Sequence, residues 1–531
     1  MSAFDETSDR HIIPTWFDST QALQSPELKR LKSIPDENFE LETPQKLQEF
    51  NRAPSSENAL DLVNVASREQ HDLDLSNAAR FIIYDEHMPV SVRRLAAQIL
   101  DKTNQEPVVL NDTAAIQRLR YRLKQSTKNP LAWADLARLY ASRGDNNKAE
   151  KAMLVAVDLA GWNRWITRCA SRLFVHLGKP DKAIDLILRN PMIKRDPWLM
   201  AANVSISQMA EVKPNYWKEA KKLLDASVAP VHLGELSSAI ATSELVAGQT
   251  KIAKKLLQKS LIEPTGNVLA QAQWAKRAKH VSNLDLSAIN TVDDASEAKY
   301  WAAYSAGDLP LALKYAKEWL ADEPYSSRPA IDGCFVCSLL DDYISMEELL
   351  RIGLRANPDN QTLKINRAFC ILASNEISIF NRFKVNRELV VRDLITAQRS
   401  EDLQTVAHAE ATIGLAYYRS GDLQKGKEFY DNAEKIFRKL NISGSVLICI
   451  QNHLREAILA RSSGIADLVS RMANLLKEKD ATNTPGMIFY ASKLERAAKT
   501  PEDAITLFKQ PVDNFNSSLI LLPSDFFPAI I

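Results

Sequence analysis

From about residue 115 onward, apolar residues recur at intervals of three, four and seven, the spacing that lines one face of a helix. The apolar–polar alternation that a sheet requires is absent, and the one short strand-like run is Phe81-Ile82-Ile83-Tyr84. Trp133, Leu136, Ala137 and Tyr140 form one stripe; Gly144 then opens a turn, and Ala149, Met153 and Ala156 form a second stripe. Such a segment predicts two helices packed face to face. Small residues at Ala137 and Ala149 let the backbones approach, and the large neighbours fill the space around them.

The pattern returns along the chain. Gly178 lies 34 residues after Gly144, and Ala183 lies 34 after Ala149. Phe174, Gly178, Ala183 and Ile187 mark a second unit, closed by Pro191. The third runs through Trp198, Ala201, Ala202, Ala220 and Leu224, its connection lengthened at Lys213-Pro214-Asn215. Ile240, Ala241, Gly248, Ala253 and Leu257 form a fourth, stopped at Pro264, where a missing N–H ends a helix. Gly307, Ala312, Ala316 and Pro324 mark a fifth; a more degenerate sixth, with Gly333, Cys334 and Met346, ends at Pro358. Ile413, Gly414, Tyr417, Gly421, Tyr430 and Ala433 rebuild a clear unit, with Gly426 in place of the packing alanine. Ala457, Gly464 and Ala473 suggest one more pair. Residues 267–291 and 361–399 are helical in pattern but out of phase, which predicts single or odd-length helix pairs and bends in the array.

A period near 34 residues, with Trp133, Leu136, Ala137 and Tyr140 at the W-x2-L-(G/A)-x2-Y spacing, resembles the tetratricopeptide repeat. The resemblance covers roughly residues 130–475 and is most specific over 130–163 and 407–440. It implies an all-α fold, a right-handed superhelical solenoid of antiparallel helix pairs, in which each pair shields its neighbour and the concave face binds another protein. Chaperone-binding members hold a terminal carboxylate with a Lys and Asn clamp; Ala134 and Arg138 occupy the corresponding places here, so that clamp is not supported.

The ends differ from the middle. Residues 1–57 are polar and read as a largely disordered N-terminal arm with one anchor, Ile12-Ile13-Pro14-Thr15-Trp16-Phe17, whose aromatics could dock on a neighbouring surface. Residues 58–126 read as a helical N-terminal module, 127–480 as the repeat array, and 481–531 as C-terminal helices with an apolar tail. That tail, through Leu519, Phe526-Phe527 and Ile531, either caps the array or binds a partner.

Composition narrows the class. A net charge of +1, with 45% hydrophobic and 25% charged residues, describes an ordinary soluble protein rather than a bulk polyanion binder. No basic-then-apolar leader pattern or membrane-length apolar run is present, and the five cysteines are an odd, scattered set, which together predict a cytoplasmic protein. Cys334 and Cys337 make a C-x2-C without a second pair at zinc spacing, so structural burial is expected. The histidines form no metal-ligand pattern, and no phosphate loop, dinucleotide fingerprint or nucleophile elbow occurs. No enzyme, cofactor or metal is expected.

What remains is the surface lined by first-helix residues between the packing stripes. It is expected to carry Arg138, Arg168, Arg172 and His176 in the early units, and Trp301, Tyr418 and Arg419 in the later ones. Guanidinium groups suit carboxylate or phosphate, and aromatic residues with arginine dominate binding energy at interfaces. The expected function is a non-enzymatic scaffold or adaptor that takes a partner protein through a peptide segment or a helix, with an acidic one among the candidates. The alternative is a nucleic-acid-binding or regulatory protein using the basic stretch 118–176, with Arg118, Arg120, Arg122 and Lys124 at its start.

Overall fold

The computed structural model describes residues 10–19, 27, 42–69, 75–85, 88, 93, 96, 112–225, 228–278, 281, 283–478 and 484–509. The apolar tail from Leu519 to Ile531 lies outside the described residues. Every regular element among those described is a helix. The chain divides into two compact units, Leu31–Ala115 on the one hand and Met1–Arg30 with Ile116–Ile531 on the other.

In the smaller unit, α1 (Glu42–Arg52), α2 (Ser56–Glu69) and α3 (Ser76–Tyr84) share a core of Phe50, Ala59, Leu62, Val63, Ala78, Ala79 and Ile82. The run Phe81–Tyr84, strand-like in the sequence, is the last turn of α3. Ala78, Ala79 and Ile82 supply the helical three-and-four spacing that the four-residue run lacks by itself.

The larger unit begins with α4 (Asp112–Gln125) and continues as pairs joined by short turns: α5 (Pro130–Ala141) with α6 (Asn146–Ala160), α7 (Arg164–His176) with α8 (Pro180–Arg189), α9 (Pro197–Met209) with α10 (Trp217–Leu223), and α11 (Pro230–Val246) with α12 (Thr250–Ser260). A single helix, α13 (Gly266–Arg277), and a 3-10 turn (Ser287–Asn290) interrupt the rhythm. It resumes with α14 (Ser296–Ala306) and α15 (Leu309–Asp322), then α16 (Arg328–Leu340) and α17 (Tyr343–Ala356). After α18 (Gln361–Ser374), the short α19 (Ile377–Arg382) precedes α20 (Arg387–Gln398). The last elements are α21 (Leu403–Ser420), α22 (Leu423–Lys439), α23 (Ser443–Leu459), α24 (Ile465–Lys477), α25 (Pro485–Lys499) and α26 (Ala504–Leu507). First helices also touch the first helix of the next pair, α5 on α7, α9 on α11 and α16 on α18, so the pairs stack. Through 361–399 the stacking is unbroken, because α18 packs directly against both α20 and α21.

The recurring glycine has a backbone reason. Gly144, Gly178, Gly248, Gly307 and Gly421 all sit in inter-helix turns with φ between +67° and +89°, a conformation that a side chain disfavours. Where the period is degenerate, Glu211, Asp341 and Asn375 take the left-handed position instead. The helix starts are also written in the sequence: the side chains of Asn129, Asn163, Asp196, Asp308 and Asp402 accept hydrogen bonds from the first free N–H groups of α5, α7, α9, α15 and α21. Ala137 and Ala149 are fully buried, and Gly414 and Gly426 bring α21 and α22 so close that a Cβ on either would fall about 3 Å from the other's carbonyl oxygen.

Candidate functional site: an extended segment on the early first helices

Residues 10–19 are seated against the early helices of the larger unit. Ile12, Pro14 and Trp16 are buried while their neighbours are half-buried, the alternation of an extended chain. Ile12 is buried in one apolar cluster with Met200, Ala201 and Val204 on α9, Leu236 and Ile240 on α11, and Val268 on α13. Trp16 packs among α5, α6 and α7, with its ring centroid 5.1 Å from that of Tyr325. Proline has no N–H to leave unpaired at Pro14, and its fixed φ favours the extended path.

Side chains of the helices hold the segment by its backbone. Gln271 Nε2 donates to the carbonyl of Arg10 at 2.6 Å, Asn267 Nδ2 to that of Ile13 at 2.8 Å, and Arg138 Nε to that of Trp16 at 3.1 Å. At one end Arg10 forks onto Glu297 of α14 and also reaches Gln271 and Asn267. At the other, the backbone N–H and hydroxyl of Ser19 donate to Asp135 at 2.8 and 2.5 Å. Burial opposes the charge on Glu297, but Arg10 and Arg328 outweigh it and hold this carboxyl below the usual range.

A buried charge cluster lies alongside. Arg168 is completely buried, its Nε 2.8 Å from Glu27 and its Nη2 2.6 Å from Glu235; Nη1 donates to the carbonyl of Trp198, whose ring lies under the guanidinium at 4.9 Å. Arg164 and Asp196 pair next to it at 3.3 Å. Three carboxylates therefore share two guanidinium groups, and burial pushes the Glu27 carboxyl up to about 7 although Arg168 favours its charge. Arg172 stands 3.6 Å from Glu323 and over the ring of Tyr325 at 4.9 Å. His176 meets the same ring edge-on, and burial, then Arg172, lowers its pKa to about 4. Arg10, Arg172, His176, Glu297, Glu323 and Arg328 are among the residues around a polar cavity of about 360 Å³ beside the segment.

Of the early set, Arg138 bonds the segment directly, Arg172 and His176 line the cavity beside it, and Arg168 lies in the adjacent charge cluster. The structure does not bring Trp301, Tyr418 and Arg419 there. Trp301 is buried under Arg277, whose guanidinium carbon is 3.4 Å from the ring centroid; the Tyr418 hydroxyl bonds His453 at 2.9 Å; and Arg419 Nε is 2.7 Å from Glu456 within a buried network that includes Arg455. Elsewhere in the later pairs α25 packs on α14, α16 and α23 and pairs Lys493 with Asp341. The basic stretch divides as well: Arg118, Arg120, Arg122 and Lys124 are exposed on α4, whereas the arginines of α5 and α7 are turned inward.

The residues that sequence reading passed over are Asp135, Asn267, Gln271 and Glu297. Asn267 and Gln271 stand four apart in α13, polar positions among Val268, Leu269, Ala270 and Ala272, and both are buried. That intrusion of amides into an apolar helix was the available signal. Cys334 and Cys337 are fully buried, and burial raises both thiols well above their ordinary range. No group of three or more His, Cys, Asp or Glu among the described residues is placed to hold a metal ion, and no described helix is long and apolar enough to cross a membrane.

Fold and seat together define an all-helical protein of stacked helix pairs that holds an extended peptide segment on its early first helices. No family model matches the sequence, and no curated protein matches it. Among solved structures, the crystal structure of the yeast Tom70 matches over 75% of this chain and 87% of that one, at 15% identity and a TM-score of 0.27. At that score the likeness adds nothing to the fold described above.

Proposed function

We propose that this protein is a non-enzymatic scaffold or adaptor, taking a partner protein as an extended segment on the early first helices, with Arg138, Arg168, Arg172 and His176 among the residues of the seat. One observation carries the reading: residues 10–19, with Ile12, Pro14 and Trp16 turned inward in alternation, already lie there, gripped through backbone carbonyls and seated in two apolar clusters. Grip on the backbone with pockets for alternate side chains is how peptide-recognition surfaces work. A cytoplasmic location belongs to the same reading and rests on the odd, scattered cysteines.

The second reading, nucleic-acid binding, is supported by the exposed Arg118, Arg120, Arg122 and Lys124 of α4. It draws no support from Arg138, Arg168 and Arg172, which are engaged with protein carbonyls and carboxylates.

Affinity capture with the intact chain and with Arg172→Glu, at low and moderate salt, separates the two. A defined protein lost with the variant while the melting temperature holds supports the scaffold; nucleic acid that elutes with salt and is lost on Arg118→Glu with Arg122→Glu supports the second reading. Capture of neither sinks both. Arg168 is unsuited to this test, since a glutamate there would bury a third carboxylate beside Glu27 and Glu235.

A further inference from the structure

With the exception of Asp135, the side chains that grip residues 10–19 keep a partner without that segment. Glu297, which holds Arg10, also holds Arg328 at 2.6 Å. Gln271, which holds the Arg10 carbonyl, also donates to the hydroxyl of Thr242 at 2.9 Å. Asn267 turns its amide to Glu235 as well as to Ile13, and Arg138 donates to the carbonyl of Asp322 as well as to Trp16. Arg168 is held by Glu27, Glu235 and the Trp198 carbonyl, none of which belongs to residues 10–19. Asp135 is the exception, its hydrogen bonds among the described residues going to Ser19.

A segment that supplies the sole partner of a buried charge leaves that charge unpaired when taken away, at a cost that locks it in place. Here much of that cost is absent, because Glu297 keeps Arg328, Arg138 keeps the Asp322 carbonyl, and Asn267 and Gln271 keep Glu235 and Thr242. From Arg10 to Asp18 the segment carries no helical residue, and the helices that seat it pack on one another directly. These are the properties of a receptor with a ligand in it.

Resting on the scaffold reading, we propose that the seat is an exchangeable binding site and that residues 10–19 are its resident pseudo-ligand. The partner it fits is an extended peptide with a cation, an aliphatic residue two positions later and an aromatic residue four further on, the pattern of Arg10, Ile12 and Trp16. The cation pocket is Glu297 with Asn267 and Gln271; the aliphatic and aromatic pockets are those of Ile12 and Trp16. Because the resident segment is tethered, it competes at a high effective concentration, and the site stays closed to weak ligands until a matching peptide displaces it.

The test uses the full chain with a protease site placed within residues 20–26, cut after folding and then diluted, and a fluorescent peptide of residues 8–20 followed by anisotropy. Cutting and dilution should raise the apparent affinity for the peptide by at least about tenfold over the uncut chain, since the tethered competitor is lost. Peptides with Arg10→Glu or Trp16→Ala should not bind. A cut protein that keeps its helicity and takes up no peptide, or takes up the altered peptides equally well, overturns the proposal. Should cutting itself unfold the protein, the uncut Arg10→Glu chain serves: it must bind the wild-type peptide more tightly than the wild-type chain does, and equal uptake overturns the proposal. Failure here alongside continued partner capture by the intact chain would make the segment a permanent strap, keeping the scaffold role but moving the partner to another face. Exchange without partner capture would be the reverse result.

Discussion

Arg10 and Glu297 are 287 positions apart in the sequence and meet in a two-point ion pair, Nε to Oε1 and Nη2 to Oε2, each at 2.8 Å. Both side chains are largely buried, and α14 is thereby tied to the first described residue of the chain. Breaking a buried, doubly hydrogen-bonded pair from one side costs about 3–5 kcal/mol when the remaining charge is orphaned. Glu297 keeps Arg328, so Arg10→Ala should cost less, about 1–3 kcal/mol of arm attachment. Hydrogen exchange read by mass spectrometry should show residues 10–19 losing protection while α14 keeps its own. Equal loss over α14 would mean that the arm and the helix stand or fall together.

Trp16 is the larger anchor. Its side chain is fully buried against Tyr325 and the early helix pairs, and removal of such a group from a core costs about 3–5 kcal/mol. Trp16→Ala should expose residues 10–19 to proteolysis, with the helical circular dichroism signal of the body nearly unchanged. A protease-resistant arm in this variant would show that the polar grip alone suffices.

Arm attachment should depend on pH from both sides. Glu27 has a raised pKa, about 7, so what it contributes is fully present below the unfolded carboxylate value near 4.5 and is lost as pH rises through 7. Glu297 is depressed, so its contribution is present above about 4.5 and is lost as pH falls below that. His176, lowered to about 4, resists protonation in the folded state and so destabilises it as pH falls below about 6.5. Attachment should therefore be tightest in the mildly acidic range and weaken toward pH 8. Glu27→Gln, beside Arg168, Arg164, Glu235 and Asp196, should flatten the alkaline side of a protease-protection profile and leave the acid side in place. An unchanged alkaline slope would remove Glu27 as its source.

The late pair α21 and α22 should be sensitive to small additions. A Cβ at Gly414 would lie 2.9 Å from the Tyr430 ring and 3.0 Å from the carbonyl of Gly426. Gly414→Val should lower stability by about 1–3 kcal/mol through overpacking, seen as a lower melting temperature. Binding of the arm on the early helices should be untouched, because the two sites lie in different pairs and share no side chain.

Local chemistry made much of this architecture legible. The 34-residue return of Gly144 at Gly178 marks turns that need a positive φ, and the small pairs Ala137 with Ala149 and Gly414 with Gly426 mark where backbones meet. These signals survive in a sequence because they act over a few residues. The strand-like look of Phe81–Tyr84 shows the limit: four apolar residues fit either period until Ala78 and Ala79 are counted with them.

The destination of each face was not legible. The spacing of Arg138, Arg168, Trp301, Tyr418 and Arg419 places them on first helices between the packing stripes, and that much the order of residues determines. Whether such a face meets water, residues 10–19 or another helix depends on contacts between distant positions, as in Arg10 with Glu297 and Trp301 with Arg277. Helix propensity, capping and turn geometry are local energies and can be read from sequence. The burial of Arg168 between Glu27 and Glu235 is a balance of desolvation against pairing that exists only once three distant segments come together, and only the tertiary structure decided it.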